Sequence, residues 1–438
     1  MTLTLKKLPS LAVAAVVFVV ALAVLTVLNR PSETLSGGGG ASSSADRAPA
    51  LSTQARISGL EATLESGGGR AQTYAALGAA LMQRLRETGD PGLYARADMA
   101  FAEALERDPR SLEATVGAGT LALSRHDFRA ALEHGQRARR LAPASFAPLA
   151  VILDAQVELG RYDAAERTLQ QMVDFKPGLA SYARVSYFRE LHGDLPGASV
   201  AMSLAASASP AAGENRSYIQ TLQGNLEFER GRLDAAAASY RAALAGFPAY
   251  AAADAALARV EAARGRLEPA IERLRGVTQR LPLPEYVIAL GETELAAGLR
   301  ADARRDFALV RAQQRLLGEN GVNTDAEIAV FEASHGNPSR AVRLGRRGYA
   351  AAPSVRTADA LGWALTRSGR PAEGLAYARR ALRLGSRDPA FLYHAGIAAR
   401  ATGENTLARR YLGRALAANP RFSPLHAPAA ERALRGLE

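Results

Sequence analysis

The sequence predicts an all-α protein: a solenoid of about ten helix–turn–helix repeats, preceded by one N-terminal transmembrane helix and a flexible linker. Three observations support this fold class. Prolines recur at intervals of 34 residues, and residues 8–28 carry no charge. The hydrophobic residues, 48% of the chain, include few aromatic ones (6% of the chain), so most are small or aliphatic. Such side chains let helices pack closely, and proline ends a helix because it lacks an N–H.

The N-terminal anchor is predicted at residues 8–28, within a segment 1–30. Lys6 and Lys7 precede the uncharged stretch and Arg30 follows it. A helix of this length spans roughly 32 Å at about 1.5 Å per residue, close to the hydrocarbon thickness of a bilayer. The two lysines before it favour a cytoplasmic N-terminus. We therefore expect a single-pass membrane protein whose repeat domain lies outside the cytoplasm.

Two other interpretations of this segment stay open. The sequence Ala21-Leu22-Ala23 offers a small-x-small cleavage site, so the segment could be a signal peptide and the protein secreted. The apolar run continues past that site to Leu28, which favours an uncleaved anchor. The remaining interpretation is a merely buried helix.

Residues 31–69 are predicted to be a linker. The first twenty are rich in Gly, Ser and Ala, a composition typical of a flexible tether. A short helix is possible from Leu51 to Ser66, with glycines 67–69 ending it.

The repeat is visible in both the prolines and the residues before them. Within one unit, a small residue comes first, Ala follows about twelve residues later, and Pro ends the second helix. Examples of the 34-residue spacing are Pro109, Pro143 and Pro177, and again Pro248 and Pro282. One complete unit reads Gly224, Ala236, Tyr240, Ala243 and Pro248. Short turns containing Gly join the two helices, and Gly suits a helix C-terminus.

This pattern resembles the tetratricopeptide repeat (TPR), and the chain as a whole resembles a membrane-anchored TPR protein of bacterial type. The resemblance covers residues 70–421 and implies a right-handed superhelix. Ten units begin near Ala71, Leu112, Phe146, Ala180, Ser217, Ala251, Pro284, Val322, Val355 and Pro389. The first and seventh units carry extra residues, and the fourth has serines where Ala and a large residue are usual. Residues 422–438 are expected to supply a C-terminal capping helix.

Little in the sequence indicates catalysis. The chain has no cysteine, and its six histidines are scattered among different units without metal-binding spacing. No phosphate-binding loop or nucleophile elbow occurs. We therefore predict no enzyme activity, no catalytic residue, no metal and no cofactor.

A protein or peptide partner is the favoured ligand class. The resemblance implies that the first helix of each unit lines a concave groove. In the ninth and tenth units this face would carry a cluster of aromatic and basic residues: Arg356, Trp363, Arg367, Tyr393, His394 and Arg400. Aromatic residues edged by Arg are typical of interaction hot spots. The alternative is that the rings only fill space between neighbouring helices.

A second candidate groove lies in the fourth and fifth units. Its residues are Arg184, Phe188, Tyr218, Asn225 and Phe228. An Asn on an inner face could bond the backbone of an extended peptide through both ends of its amide. The chain lacks the lysines of the clamp with which some TPR proteins hold C-terminal peptides, so that partner class is not supported.

Charge is concentrated at the C-terminal end. Residues 335–438 contain 18 Arg and six acidic residues, whereas the whole chain carries +11. The favoured function is a membrane-tethered protein–protein scaffold, for example in assembly of a cell-envelope complex. The first alternative is binding of an anionic polymer or membrane surface by the basic C-terminal repeats; the second is a self-associating structural or regulatory subunit. Nucleic acid is disfavoured because aromatic residues do not alternate with these arginines.

Overall fold

The computed structural model describes residues 52–67, 69–211 and 213–437. Within them the chain forms 22 helices and no strands. The helices are α1 Thr53–Glu65, α2 Ala71–Thr88, α3 Gly92–Arg107, α4 Leu112–Ser124, α5 Phe128–Leu141, α6 Ala147–Glu158, α7 Tyr162–Phe175, α8 Leu179–Leu191, α9 Leu195–Ser207, α10 Glu214–Glu229, α11 Leu233–Gly246, α12 Ala251–Ala263, α13 Leu267–Arg280, α14 Pro284–Ala296, α15 Arg300–Glu319, α16 Asp325–His335, α17 Pro338–Ala351, α18 Val355–Arg367, α19 Pro371–Ala381, α20 Pro389–Ala401, α21 Asn405–Ala418 and α22 His426–Arg435.

Helices α2 to α21 form ten consecutive pairs, called units 1 to 10 below. In every unit the two helices pack against each other, and the second helix packs against the first helix of the next unit. Between units 7 and 8 this contact is made by side chains, with the rings of Phe307 and Phe331 5.4 Å apart. The prediction of an all-helical solenoid is confirmed. Helix α1 packs on α2 and buries Ile57, and α22 covers the last unit.

The predicted transmembrane helix at residues 8–28 lies outside the described residues, as does the Gly/Ser-rich part of the linker. Among the residues that are described, no helix has both the length and the apolar character needed to cross a bilayer.

Local sequence explains where the helices begin and why they approach closely. Ser111 and Asp127 cap α4 and α5 by accepting from backbone N–H groups three residues ahead. At Gly224 in α10, a Cβ atom would lie 2.3 Å from the ring of Tyr240 in α11. The small residue at this position is therefore required by the aromatic side chain of the paired helix.

Units 1 and 7, which carry extra residues, accommodate them in longer helices. Helix α2 has 18 residues and α15 has 20. In unit 4, Ser203 is exposed on α9 and its hydroxyl donates to the carbonyl of Ser199 at 2.9 Å. The buried side of α9 is formed by other residues, among them Met202 and Ala205.

Units five or six places apart along the chain touch, so successive turns of the superhelix are in contact. The backbone N–H of Asn323 donates to the carbonyl of Arg125 at 2.9 Å, which joins the start of unit 8 to the turn of unit 2. The hydroxyl of Tyr162 accepts from the N–H of Val355 at 2.9 Å, joining units 3 and 9. Asn419, at the end of unit 10, donates to a carbonyl in unit 5 at 2.7 Å. These contacts join units that are far apart in the sequence.

Candidate functional site

The aromatic cluster predicted in units 9 and 10 lies within the packed core. Trp363 is 2% exposed and stacks on His394, with ring centroids 4.3 Å apart. The ring of Tyr393 lies 5.8 Å from that of Trp363. The indole Nε1 donates to the hydroxyl of Ser334 in the preceding unit at 2.9 Å. Because the chain itself surrounds these rings, the geometry favours the packing interpretation for them.

The three arginines predicted beside these rings lie in three different surroundings. Arg367 lies over Trp363, with its Cζ 5.3 Å from the ring centroid, and its Nε donates to a carbonyl of α16 at 3.2 Å. Arg400 is exposed near the end of α20. Arg356 is turned away from the cluster, toward Tyr187 in unit 4. The structure therefore places Arg367 against the tryptophan but separates Arg356 from it.

The C-terminal helix contributes rings to the same cluster. His426 stacks on Tyr393 with centroids 4.9 Å apart, and Phe422 lies 6.1 Å from Tyr393. Burial lowers the pKa of His426 to about 4, so this imidazole is neutral at pH 7. Sequence reasoning assigned these residues to a turn and a cap and missed their contact with unit 10.

The second predicted cluster is held by bonds within the chain. Arg184 is 2% exposed, and its guanidinium donates to both carboxylate oxygens of Asp154, at 2.8 and 2.6 Å. Tyr218 is buried on the neighbouring helix α10. Sequence reasoning missed Asp154. Its position in α6 follows the spacing expected for the inner face, so the sequence could have predicted that it faces Arg184.

The other members of this cluster are also engaged. Phe188 is buried in α8. The amide oxygen of Asn225 accepts from the hydroxyl of Tyr240 at 2.8 Å, so one end of the amide is already used. Phe228 is buried beneath the guanidinium of Arg259, 4.5 Å from the ring centroid. The second candidate groove is therefore largely filled by its own side chains.

An open space remains on the inner face where units 2 and 3 meet units 8 to 10. We call it the inner cavity; its volume is about 130 Å³. It is lined by His126, Phe128, Glu158, Asn323, Ala326, Glu327, Val330, Gly348, Ala352, Arg356, Thr357, Asp359, Ala360 and Phe391. Arg356 is the predicted site residue that reaches this cavity. One buried water molecule needs roughly 10–15 Å³ of such space, so the cavity would hold several waters or one extended side chain.

Arg356 closes one wall of the inner cavity. Its Nε and Nη2 donate to the hydroxyl oxygen of Tyr187 at 2.9 and 2.7 Å, and that hydroxyl donates to Glu158 Oε1 at 3.2 Å. Burial alone would lower the pKa of Arg356, but Tyr187 and Glu158 outweigh it and raise the pKa well above its usual range. The arginine charge is therefore matched within the chain.

Glu327 also lines the inner cavity, and its charge is only partly matched. Its Oε2 atom is buried without a hydrogen-bond partner, and Oε1 lies 3.8 Å from His126 Nδ1. That nitrogen is 2.8 Å from the carbonyl of Asn323, to which it donates. Burial, with a smaller repulsive contribution from Glu327, raises the pKa of nearby Glu285 to about 7.

His126 itself has an unusual backbone. Its φ of 57° lies in the left-handed region, which Gly160 and Gly231 occupy in the corresponding turns of units 3 and 5. A side chain in this conformation is uncommon outside glycine, and such positions concentrate at functional sites. The conformation directs the imidazole toward unit 8. Sequence reasoning missed His126, Glu158 and Glu327, because the cavity joins units six repeats apart.

In the described part of the chain, no group of three or more His, Asp or Glu side chains is arranged to hold a metal ion.

Comparison with protein families identifies repeats in three places. Two family models described as tetratricopeptide repeats match the chain, one at residues 227–292 and the other at 89–146 and 360–424. No curated protein matches the sequence significantly.

Several solved structures resemble the chain at low identity and with TM-scores below 0.5. The human IFIT1 dimer with PPP-AAAA is 16% identical, over 75% of this chain and 77% of that one, with a TM-score of 0.47. The APC/C hetero-tetramer Cut9-Hcn1 is 14% identical over 88% and 67%, with a TM-score of 0.39. A tetratricopeptide repeat protein from Parabacteroides merdae is 17% identical over 59% and 98%, with a TM-score of 0.35. These likenesses carry no argument about ligands. The described part of the chain is an all-helical solenoid, and the three matched stretches are tetratricopeptide repeats, which are generally used for protein–protein interaction.

Proposed function

We propose that the protein is a non-enzymatic scaffold that receives a basic side chain of a partner segment in the inner cavity. The observation that carries this proposal is the buried, unpartnered Oε2 of Glu327 on the cavity wall. A buried carboxylate oxygen without a partner is costly, and an incoming ammonium or guanidinium group would remove that cost. The cavity has room for one such side chain but not for a folded domain.

The remaining lining of the inner cavity fits the same occupant. Phe128, Val330 and Phe391 supply apolar walls that suit the methylene stem of a Lys or Arg side chain. Asp359 adds a second carboxylate to the lining, whereas the charge of Glu158 is matched by Arg356. Asp359 is itself held by His394 Nδ1, 2.9 Å away, which keeps its orientation constant.

The proposal is tested by selecting displayed peptides that bind the immobilised full chain. We expect the selected peptides to share a Lys or Arg whose replacement by Met abolishes binding. Binding should weaken about tenfold in Glu327→Gln, since a charge-assisted hydrogen bond is lost. The matched control is Glu272→Gln, which removes a carboxylate from the exposed side of α13. Selected peptides without a basic residue, or equal loss in both variants, would contradict the proposal.

We further propose that residues 8–28 tether the scaffold to a membrane, with the repeats on the extracytoplasmic side. The support is the uncharged 21-residue stretch behind Lys6 and Lys7. The full chain is expected to stay with membranes after alkaline extraction, whereas a chain lacking residues 1–30 is released. Release of the full chain, or protection of its repeats from protease added outside intact spheroplasts, would oppose this topology.

A further inference from the structure

The surface between α15 and α17 forms a cleft of about 500 Å³ in units 7 and 8. We call it the arginine cleft. It is lined by Gln314, Arg340, Arg343, Leu344, Arg346 and Arg347. Four arginines thus line one opening, all within about two turns of α17.

Two of these arginines are fixed by carboxylates of the chain. Arg347 donates to both oxygens of Asp325 through Nε and Nη2, at 2.8 and 2.5 Å. Arg340 donates to Glu332 Oε1 at 2.8 Å and also contacts Gln314. These bonds orient two sides of the cleft, and they show that its guanidinium groups engage carboxylates in this setting.

The other two arginines have no such partner. Within the described residues, Arg343 and Arg346 are exposed and make no ion pair or hydrogen bond. They are three residues apart on α17, which puts their Cβ atoms about 5–6 Å from each other. Like charges at this spacing repel, so the free protein bears a cost that an anion bound between them would relieve.

We propose that the arginine cleft binds an extended acidic segment of a protein partner through two carboxylates. In an extended chain, side chains at positions i and i+2 point to the same side and are about 6.8 Å apart. This distance is within about 2 Å of the Cβ separation of Arg343 and Arg346, which their long side chains can bridge, so the recognised pattern is acidic-x-acidic. Adjacent acidic residues point to opposite sides and would present one carboxylate to the cleft.

The lining favours an acidic peptide over a nucleic acid. No aromatic ring is among its residues, and Leu344 is its apolar side chain. Base stacking, which nucleic-acid binders use along a single strand, therefore has no platform here. This inference rests on the chain's role as a protein-binding scaffold but uses a different surface from the inner cavity.

The test compares three eight-residue peptides binding to the full chain at low ionic strength by fluorescence anisotropy. Their centres are Glu-Ser-Glu, Glu-Glu-Ser and Gln-Ser-Gln in otherwise identical sequences. We expect the first to bind about threefold more tightly than the second, and the third not to bind measurably. Affinity for the first should fall about tenfold in Arg343→Ala/Arg346→Ala, because two exposed ion pairs are lost.

Two controls keep the outcome specific. Arg167→Ala/Arg241→Ala removes the same charge from exposed mid-helix positions and should leave the affinity within about twofold of wild type. Glu327→Gln should leave it unchanged, which separates failure of the arginine cleft from failure of the inner cavity. Equal binding of both acidic isomers, equal loss in the Arg167/Arg241 variant, or preferential binding of single-stranded DNA would overturn the proposal.

Discussion

Truncating the single tryptophan distinguishes a core residue from a binding residue. Trp363 is 2% exposed and stacks on His394. A buried aromatic side chain covers about 150–250 Å², and at about 25 cal/mol per Å² its removal costs roughly 4–6 kcal/mol. Measured truncations of buried Phe and Trp cost about 3–5 kcal/mol. We therefore expect Trp363→Ala to destabilise units 8 to 10 and α22 by about 4 kcal/mol.

Hydrogen exchange of backbone amides is the appropriate assay, because a repeat array unfolds in parts. A loss of about 4 kcal/mol corresponds to an exchange rate about a thousandfold faster in α18, α20 and α22 where exchange requires local unfolding. The control is Arg367→Ala, which removes the exposed cation above the same ring and should cost about 0.5–1 kcal/mol. Unchanged exchange in Trp363→Ala, together with lost partner binding, would refute the packing account.

Three further predictions concern stability. Burial and, secondarily, Asp359 raise the pKa of Asp388 to about 7, so the folded state retains a proton that the unfolded state releases above about pH 4. Stability should fall as pH rises from about 4 to 7, and Asp388→Asn, which retains a helix-capping oxygen, should flatten that slope in denaturant titrations. Arg184→Leu should lower the free energy of unfolding by about 3–5 kcal/mol, because the buried Asp154 loses its partner. In chemical denaturation, the double variant Asp154→Leu/Arg184→Leu should lie within about 1 kcal/mol of wild type. Gly160→Ala should destabilise the protein more than Gly403→Ala in thermal unfolding. Both glycines have a backbone φ in the left-handed region, but only at Gly160 would a Cβ meet a backbone carbonyl of the neighbouring superhelical turn, 2.4 Å away. Equal costs would argue against that inter-turn contact.

The helix pairs were predictable because their determinants are local. Spacing of Pro, Gly and Ala sets both where a helix ends and how closely its partner can approach, as Gly224 and Tyr240 illustrate. The unusual units were predictable for the same reason, since α2 and α15 simply extend where the sequence runs on. These features depend on residues within one repeat or its immediate neighbour.

The candidate site was only partly predictable, because it depends on contacts between residues far apart in the chain. Inner-face spacing correctly placed Arg184 and Tyr218 on first helices, but it did not indicate that Asp154 would already hold the arginine. Arg356 was grouped with Trp363 because both belong to unit 9. Its actual partner is Tyr187, which is 169 positions away in the chain.

The periodicity of a solenoid explains why such contacts escape a single sequence. A repeat specifies the relation between one unit and the next, and the pitch of the superhelix is the sum of many small rotations. In this chain the accumulated rotation places the turn between the helices of unit 2 next to the start of unit 8. Asn323 therefore donates a hydrogen bond to the carbonyl of Arg125, and His126 faces Glu327. The local sequence does show one mark of this proximity. His126 lies in a turn where other units have glycine. Its contact with the carbonyl of Asn323 explains why a residue with a side chain adopts the left-handed backbone conformation there.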